Sequence, residues 1–394
     1  MFVRLRVLAA VILALTVASV PVTAAVPPPV EISVILSLTG SAAFLGQESA
    51  DSIRLVEAAQ NKRGGIAGHP IHFDIADDQS SPQVALQLFN AILAKKPAVV
   101  IGSSLVAACS AIAPLIAKGP VVYCLSAGMH PAAGTYMFAY GINTEELVRV
   151  TLEYFRQRGW NRIGAIFPTD ASGQDGERGL DTTLAQPPGN SLTLVDREHF
   201  NNGDVTVAAQ LARLKSARPQ AVLAWGTGAP LGMVLHGASD AGLNVPIGIS
   251  ASNLNYKVMK QYAAFLPRDL FITTVPGVAP QAAAPGPLRS AATTYFDDVQ
   301  SAGIQPDANM VVGWDSAGIV ISALQKYGAN ATAEQIRDYI ANLHGYYGAA
   351  GQYDFRDGSQ RGLTARTSVV VRYDSEKAVF LPVSRIGGAL QSPR

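Results

Sequence analysis

Apolar residues along this chain gather into short unbroken runs: ISVILSL at 32–38, AVVIG at 98–102, PVVYCL at 120–125, RIGAIF at 162–167 and QAVLAW at 220–225. None alternates strictly between apolar and polar, which fits strands covered on both faces. Between the runs the period changes to that of a helix. Val205, Ala208, Ala209 and Ala212 predict one face of an amphipathic helix. Strand and helix in regular turn predict parallel βαβ units with helices on both sides of each sheet. Helix-start signals agree, with Ser81 as N-cap and Pro82 at the first helical position, where its missing N–H costs nothing. Asp77 and Asp78 precede that start and read as turn and capping carboxylates rather than an acid/base pair. Gly64, Gly65 and Gly68 close a helix instead of following a strand, so they predict a chain reversal and not a phosphate cradle.

The length of 394 residues is too great for one ordinary core and predicts two lobes. At the start, Arg4 and Arg6 precede an apolar run from Val7 to Val20, then Pro21 and small residues up to Ala24 and Ala25. That is the pattern of a cleaved signal peptide over 1–25, with the run shorter than the ~20 residues of a membrane span. No cysteine stands near the cleavage point, so the expectation is a periplasmic protein without a lipid anchor. Without Arg4 and Arg6, 28 basic residues (30 minus 2) face 29 acidic ones, a balance that does not suggest a nucleic-acid partner. Cys109 and Cys124 are the only cysteines. Export permits a disulfide between them, which could contribute ~3 kcal/mol, and two buried thiols are the other reading.

Catalytic and cofactor signatures are missing. There is no Gly-x-Ser-x-Gly elbow, no His-Glu-x-x-His, and the histidines at 69, 72, 130, 199, 236 and 344 form no ligand cluster. The Gly-Thr-Gly in VLAWGTGAPLG, 222–232, opens like a dinucleotide site, but Leu231 occupies the place of the third glycine. The following strand, VPIGIS, leads into ASNLNY without the acid that would hold a ribose. No cofactor, metal or catalytic residue is therefore expected. Trp314 and Asp315 sit in a helical stretch and read as packing and capping.

Residues 37–82, SLTGSAAFLGQESADSIRLVEAAQNKRGGIAGHPIHFDIADDQSSP, carry a resemblance. With GPVVYCLSAGMHP, GWNRIGAIFPTDASGQDG and RPQAVLAWGTGAPLGMVLHGASDAGLNVP, they resemble the branched-chain amino-acid (Leu/Ile/Val-binding-like) solute-binding proteins of ABC transporters. The resemblance implies the α/β type I periplasmic binding fold, two Rossmann-like lobes of parallel sheets flanked by helices. It places lobe 1 at 31–141 plus 276–350 and lobe 2 at 142–275 plus 351–394, with crossings near 140–144, 274–277 and 349–353. It implies a monomeric, non-catalytic receptor that closes on a small solute and delivers it to ABC permease subunits. A ligand-sensing receptor subunit is an alternative on the same fold.

Carried over position by position, the family's carboxylate-binding hydroxyls fall at Val106 and Gly128, with Ser103, Ser104, Ser126 and Ala127 close by. The family's amine-holding acid falls at about Ala251, beside Ser252 and Asn253, and its lobe-two aromatic falls at Ser172. Phe44, Leu45, Leu105, Val106 and Trp225 would form apolar walls, with Thr227 facing the solute. An ammonium closed in a cleft without a carboxylate costs several kcal/mol. The departures therefore favour an aromatic, keto or other organic acid over an amino acid. Asp170 has two readings, a replacement for the missing acid or a helix cap.

Overall fold

The structure is a computed structural model and describes residues 27–391. The expected signal peptide at 1–25 lies outside the described residues. In the first lobe, strands β1 (Val30–Leu36), β2 (Ile71–Asp77), β3 (Val99–Ile101), β4 (Val121–Cys124) and β5 (Met137–Ala139) alternate with helices α1 (Ala43–Lys62), α2 (Pro82–Ala94) and α3 (Val106–Ile112). They form a parallel sheet in the order β2-β1-β3-β4-β5. Every residue of β3, β4 and β5 is buried, which is why these runs show no alternation. The expected cap is present, with the Ser81 hydroxyl accepting from the Val84 N–H. The expected reversal is present too: Gly64, Gly65 and Gly68 all have positive φ.

The chain leaves this sheet after β5 and enters α4 (Thr144–Gln157), which packs on the second lobe. There β6 (Arg162–Pro168), α5 (Ala171–Ala185), β7 (Thr193–Phe200), α6 (Ala208–Ser216), β8 (Ala221–Ala224), α7 (Ala229–Asp240), β9 (Ile247–Ile249), α8 (Tyr256–Tyr262) and β10 (Leu270–Thr274) follow in turn. The α6 face differs from the one expected. Val207, Leu211 and Leu214 are buried and Val205 is 93% exposed, because leucines remove far more apolar area from water than the alanines beside them.

After β10 the chain returns to the first lobe through α9 (Pro287–Ser301), α10 (Ala308–Tyr327) and α11 (Ala333–Asn342), with α10 lying along α1. A hairpin of β11 (His344–Tyr347) and β12 (Gln352–Asp354) follows. Two antiparallel strands, β13 (Val369–Asp374) and β14 (Val379–Pro382), then complete the second sheet, ordered β14-β13-β10-β9-β8-β6-β7.

The third passage comes later than 349–353. Phe355 packs edge-on against Phe138. The Gln360 carbonyl accepts from the Ala139 N–H at 3.0 Å, and its side-chain amide donates to the Thr135 and Met137 carbonyls at 3.0 and 2.8 Å. Residues 355–361 thus cover the open edge of β5, and the chain changes lobe between Arg361 and Val369. Asp315 anchors the approach to this passage. Its carboxylate accepts from the Ala349 and Ala350 N–H groups, both at 2.8 Å, and from the Tyr353 hydroxyl at 2.9 Å. Burial pushes its carboxyl up to about 6. Trp314 packs edge-on against Tyr295. Of the two readings for the cysteines, the structure forms the bond: Cys109 in α3 is joined to Cys124 at the end of β4, Cα atoms 6.1 Å apart.

Candidate functional site

The carboxyl ends of both sheets face one another across a cleft that encloses about 330 Å³, within the range of small-ligand sites. On the first lobe it is walled by Leu45, Ser104, Leu105, Val106, Ser126, Ala127 and Gly128. Ser104 lies in this wall with its Oγ buried and unpartnered. Ser103, beside it, is not among the lining residues. Its hydroxyl donates to Asp78 Oδ2 at 2.6 Å and accepts from the Leu105 N–H at 3.1 Å, fully buried. Asp78 also accepts from the Ser37 hydroxyl at 2.7 Å, so this carboxylate ties together the loops after β1, β2 and β3. Asp77 is the turn residue expected, accepting from the Thr39 hydroxyl at 2.7 Å and from the Leu38 N–H at 2.8 Å. Phe44 lies outside the lining, with its ring toward the Gly228 turn of the other lobe.

The second wall holds Asp170, Ser172, Trp225 and Thr227. Asp170 caps α5, accepting from the Gly173 N–H at 2.9 Å, and its other oxygen takes the Asn202 amide at 2.6 Å. Both oxygens are engaged. Trp225 is 5% exposed and is both core and wall. Gly176 permits this, since a Cβ there would stand 2.3 Å from the indole. Hydroxyls run in a chain across this wall: Ser172 to Thr227 at 3.2 Å, Thr227 to Ser252 at 3.3 Å, Ser252 to Ser250 at 2.9 Å. Asn253 does not line the cleft. Its amide donates to the Gly226 carbonyl at 2.8 Å and its oxygen accepts from the Gly228 N–H at 3.2 Å, so it braces the Gly-Thr-Gly turn from behind.

That turn meets the opposite lobe. Gly228 has φ +86°, and a Cβ on it would stand 2.7 Å from the Ser41 carbonyl oxygen. Two further bonds join the lobes. Asn309 in α10 donates to the Ser252 carbonyl at 3.2 Å and to Glu48 Oε2 at 2.9 Å. His130, in the loop before β5, lies 2.8 Å from Asp175 Oδ1 on α5.

Asp175, Asn309, Tyr140, Thr144 and Ser250 line the cleft but are absent from the residues expected there, while Ala251 and Ser252, at the position of the family's amine-holding acid, do line it. For Asp175 a signal existed: it stands three residues after Ser172, on the same face of α5. For Asn309 none did, because α10 is distant in sequence from every cleft loop. Burial raises the Asp175 carboxyl, yet its polar contacts with His130, Thr144 and Arg178 prevail and hold it below the ordinary range. Its Oδ2 is buried without a hydrogen-bond partner. Behind Asn309, burial pushes both Glu48 and Asp307 up, Asp307 to about 7. Among the described residues, no Lys, Arg or His side chain lines the cleft.

A family model described as periplasmic binding protein matches residues 29–378. Among solved structures, a type 1 periplasmic binding protein from Bordetella pertussis Tohama I is 19% identical, with 90% of this chain and 99% of that one covered at a TM-score of 0.78. The branched-chain amino acid transporter substrate-binding protein LivJ from Streptococcus pneumoniae, in complex with isoleucine, is 17% identical over 92% and 98% of the two chains, TM-score 0.75. An ABC transporter solute-binding protein from R. palustris, in complex with benzoate, is 16% identical over 93% and 98%, TM-score 0.77. No curated protein sequence matches the chain.

Proposed function

This chain belongs to the periplasmic binding protein family, and from that premise we propose that it captures a small carboxylate-bearing solute without an amino group for an ABC importer. Aromatic, keto and other organic acids are the class. Closure of residues 31–141 with 276–361 onto 142–275 with 362–391 would present the loaded form to permease subunits in the membrane. The location is extracytoplasmic, and the family is one of solute binding rather than catalysis.

One observation carries the ligand reading. At the position where relatives in the resemblance hold an amine, the cleft has Ala251 and Ser252, and the Asp170 carboxylate nearby is engaged by Gly173 and Asn202. An ammonium there would meet the Asp170 charge only through oxygens already taken by two neutral donors, so its desolvation would be poorly compensated. Hydroxyls and backbone N–H groups suit a carboxylate. The benzoate complex of the R. palustris protein supports an acid of this class on the same fold.

A second reading, a hydrophobic amino acid, is favoured by the unpartnered Oδ2 of Asp175 and by the isoleucine complex of LivJ. A thermal-shift panel of amino acids and their amine-free analogues separates the two. A ligand at 100 times its Kd stabilises by about 2.7 kcal/mol. The acid reading expects benzoate, phenylpyruvate or a short fatty acid to shift the melting temperature where phenylalanine and isoleucine do not. A shift by the amino acids alone, abolished in Asp175→Asn, would establish the other.

A further inference from the structure

Arg361 is 3% exposed, and no carboxylate forms a salt bridge with it among the described residues. Its Nη2 donates to the Ala127 carbonyl at 2.9 Å and to the Met129 carbonyl, and its Nη1 donates to the Tyr140 carbonyl at 3.3 Å. Carbonyl oxygens solvate a guanidinium without neutralising it. Burial lowers it only to about 10, so it is charged at neutral pH. The acids nearest in effect, Asp175 and Glu146, make no hydrogen bond to it: Asp175 holds His130 and Arg178 through Oδ1, and Glu146 accepts from the Ala365 N–H at 3.2 Å. A positive charge that is paired with no carboxylate, and offset by Asp175 and Glu146 only through space, therefore stands directly behind the loop whose Ala127 and Gly128 line the cleft.

The hydrogen bonds also set what the loop presents. The Ala127–Gly128 peptide is trans. With its carbonyl aimed at the guanidinium, its N–H points away from Arg361. That N–H has no protein partner among the described residues.

We propose that Arg361 is the specificity-determining residue of the cleft, fixing the 127–129 loop through its carbonyls and lending that wall the positive charge that selects a carboxylate over its uncharged isostere. The inference rests on the carboxylate reading. Arg361 does not touch the solute and acts through the loop.

Titration calorimetry with benzoate, phenylpyruvate and octanoate, each beside its primary amide, tests it on the mature protein, Arg361→Met and Arg361→Lys. For the acid that binds, Arg361→Met should raise Kd by about tenfold or more, as for loss of a charge facing a desolvated anion. The amide's Kd should stay within about twofold, and Arg361→Lys should keep most of the preference. Equal losses for acid and amide would make Arg361 a structural residue. Unchanged acid affinity would overturn the inference and leave the carboxylate reading standing, whereas binding of amino acids alone would remove both. A second measurement needs neither ligand nor a folded Arg361→Met. In Ala127→Cys, the alkylation rate should rise with pH at a midpoint below the ordinary thiol value of about 8.5. A midpoint at or above it would overturn the proposal.

Discussion

Where Gly228 would carry a side chain, the main chain of the opposite lobe passes, 2.7 Å from the place of its Cβ. Gly228→Ala should therefore hinder closure more than folding. We expect the Kd of the bound ligand to rise about tenfold or more, with a loss of unliganded stability of about 1–3 kcal/mol for a side chain at φ +86°, ψ −156°, a region that glycine alone adopts readily. Unchanged affinity by calorimetry would mean that the lobes do not meet there in the loaded state. Adjacent serines separate two roles in the same way. Ser103→Ala leaves Asp78 short of a donor in a buried place, and should cost about 1–3 kcal/mol in urea unfolding. Ser104→Ala removes a hydroxyl with no protein partner, and should leave stability nearly unchanged while weakening the acid. The pair Ser103 and Ser104 was legible as a cleft candidate, but which one faces inward was not, because the answer depends on a carboxylate 25 residues away.

Among the elements, the βαβ units were readable because fully buried strands write unbroken apolar runs. The α6 face was misread because alanine spacing imitates amphipathicity without the area to drive burial. The third passage was placed too early because the pairing of Gln360 with the edge of β5 leaves no mark on hydrophobic periodicity. The approach to that passage carries a pH signature. The Asp315 carboxyl rises from 3.8 to about 6 on folding, so the folded chain holds its proton more tightly than the unfolded one. This contribution is fully present below about pH 4 and is lost as pH rises through about 6, a fall of ~3 kcal/mol. Whatever the absolute stability of Asp315→Asn, its unfolding free energy should fall less steeply than the parent's between pH 4 and pH 6. Parallel slopes in denaturant titrations across that range would refute the assignment.

At the scale of the molecule, fold and cleft position followed from alternation, the switch between sheets and a resemblance spread over most of the chain. The cleft's polar chemistry followed only in part. Asp175 and Asn309 reach it from elements far apart in sequence, and local pattern does not record which lobe a residue will face. The lobes meet through His130 with Asp175, Asn309 with the Ser252 carbonyl, and Gly228 against Ser41. These contacts are few and polar, the kind a hinge can break. Small-angle scattering should then show a larger radius of gyration without ligand than at saturation. Identical curves would argue for a rigid receptor.

The hydroxyl chain from Ser172 through Thr227 and Ser252 to Ser250 has a consequence for breadth of diet. Ser250 donates its proton to the Gly226 carbonyl at 2.6 Å and so accepts from Ser252, whereas Ser172 and Thr227 at the other end can each turn about the C–O bond to donate or accept. The wall thus has a fixed end at Ser250 and two rotors, Ser172 and Thr227, that turn without displacing a heavy atom. On the proposed carboxylate reading, such a surface would suit a keto oxygen, a ring hydroxyl or a bare carboxylate, leaving discrimination among acids to the shape of the space between Leu45, Val106 and Trp225.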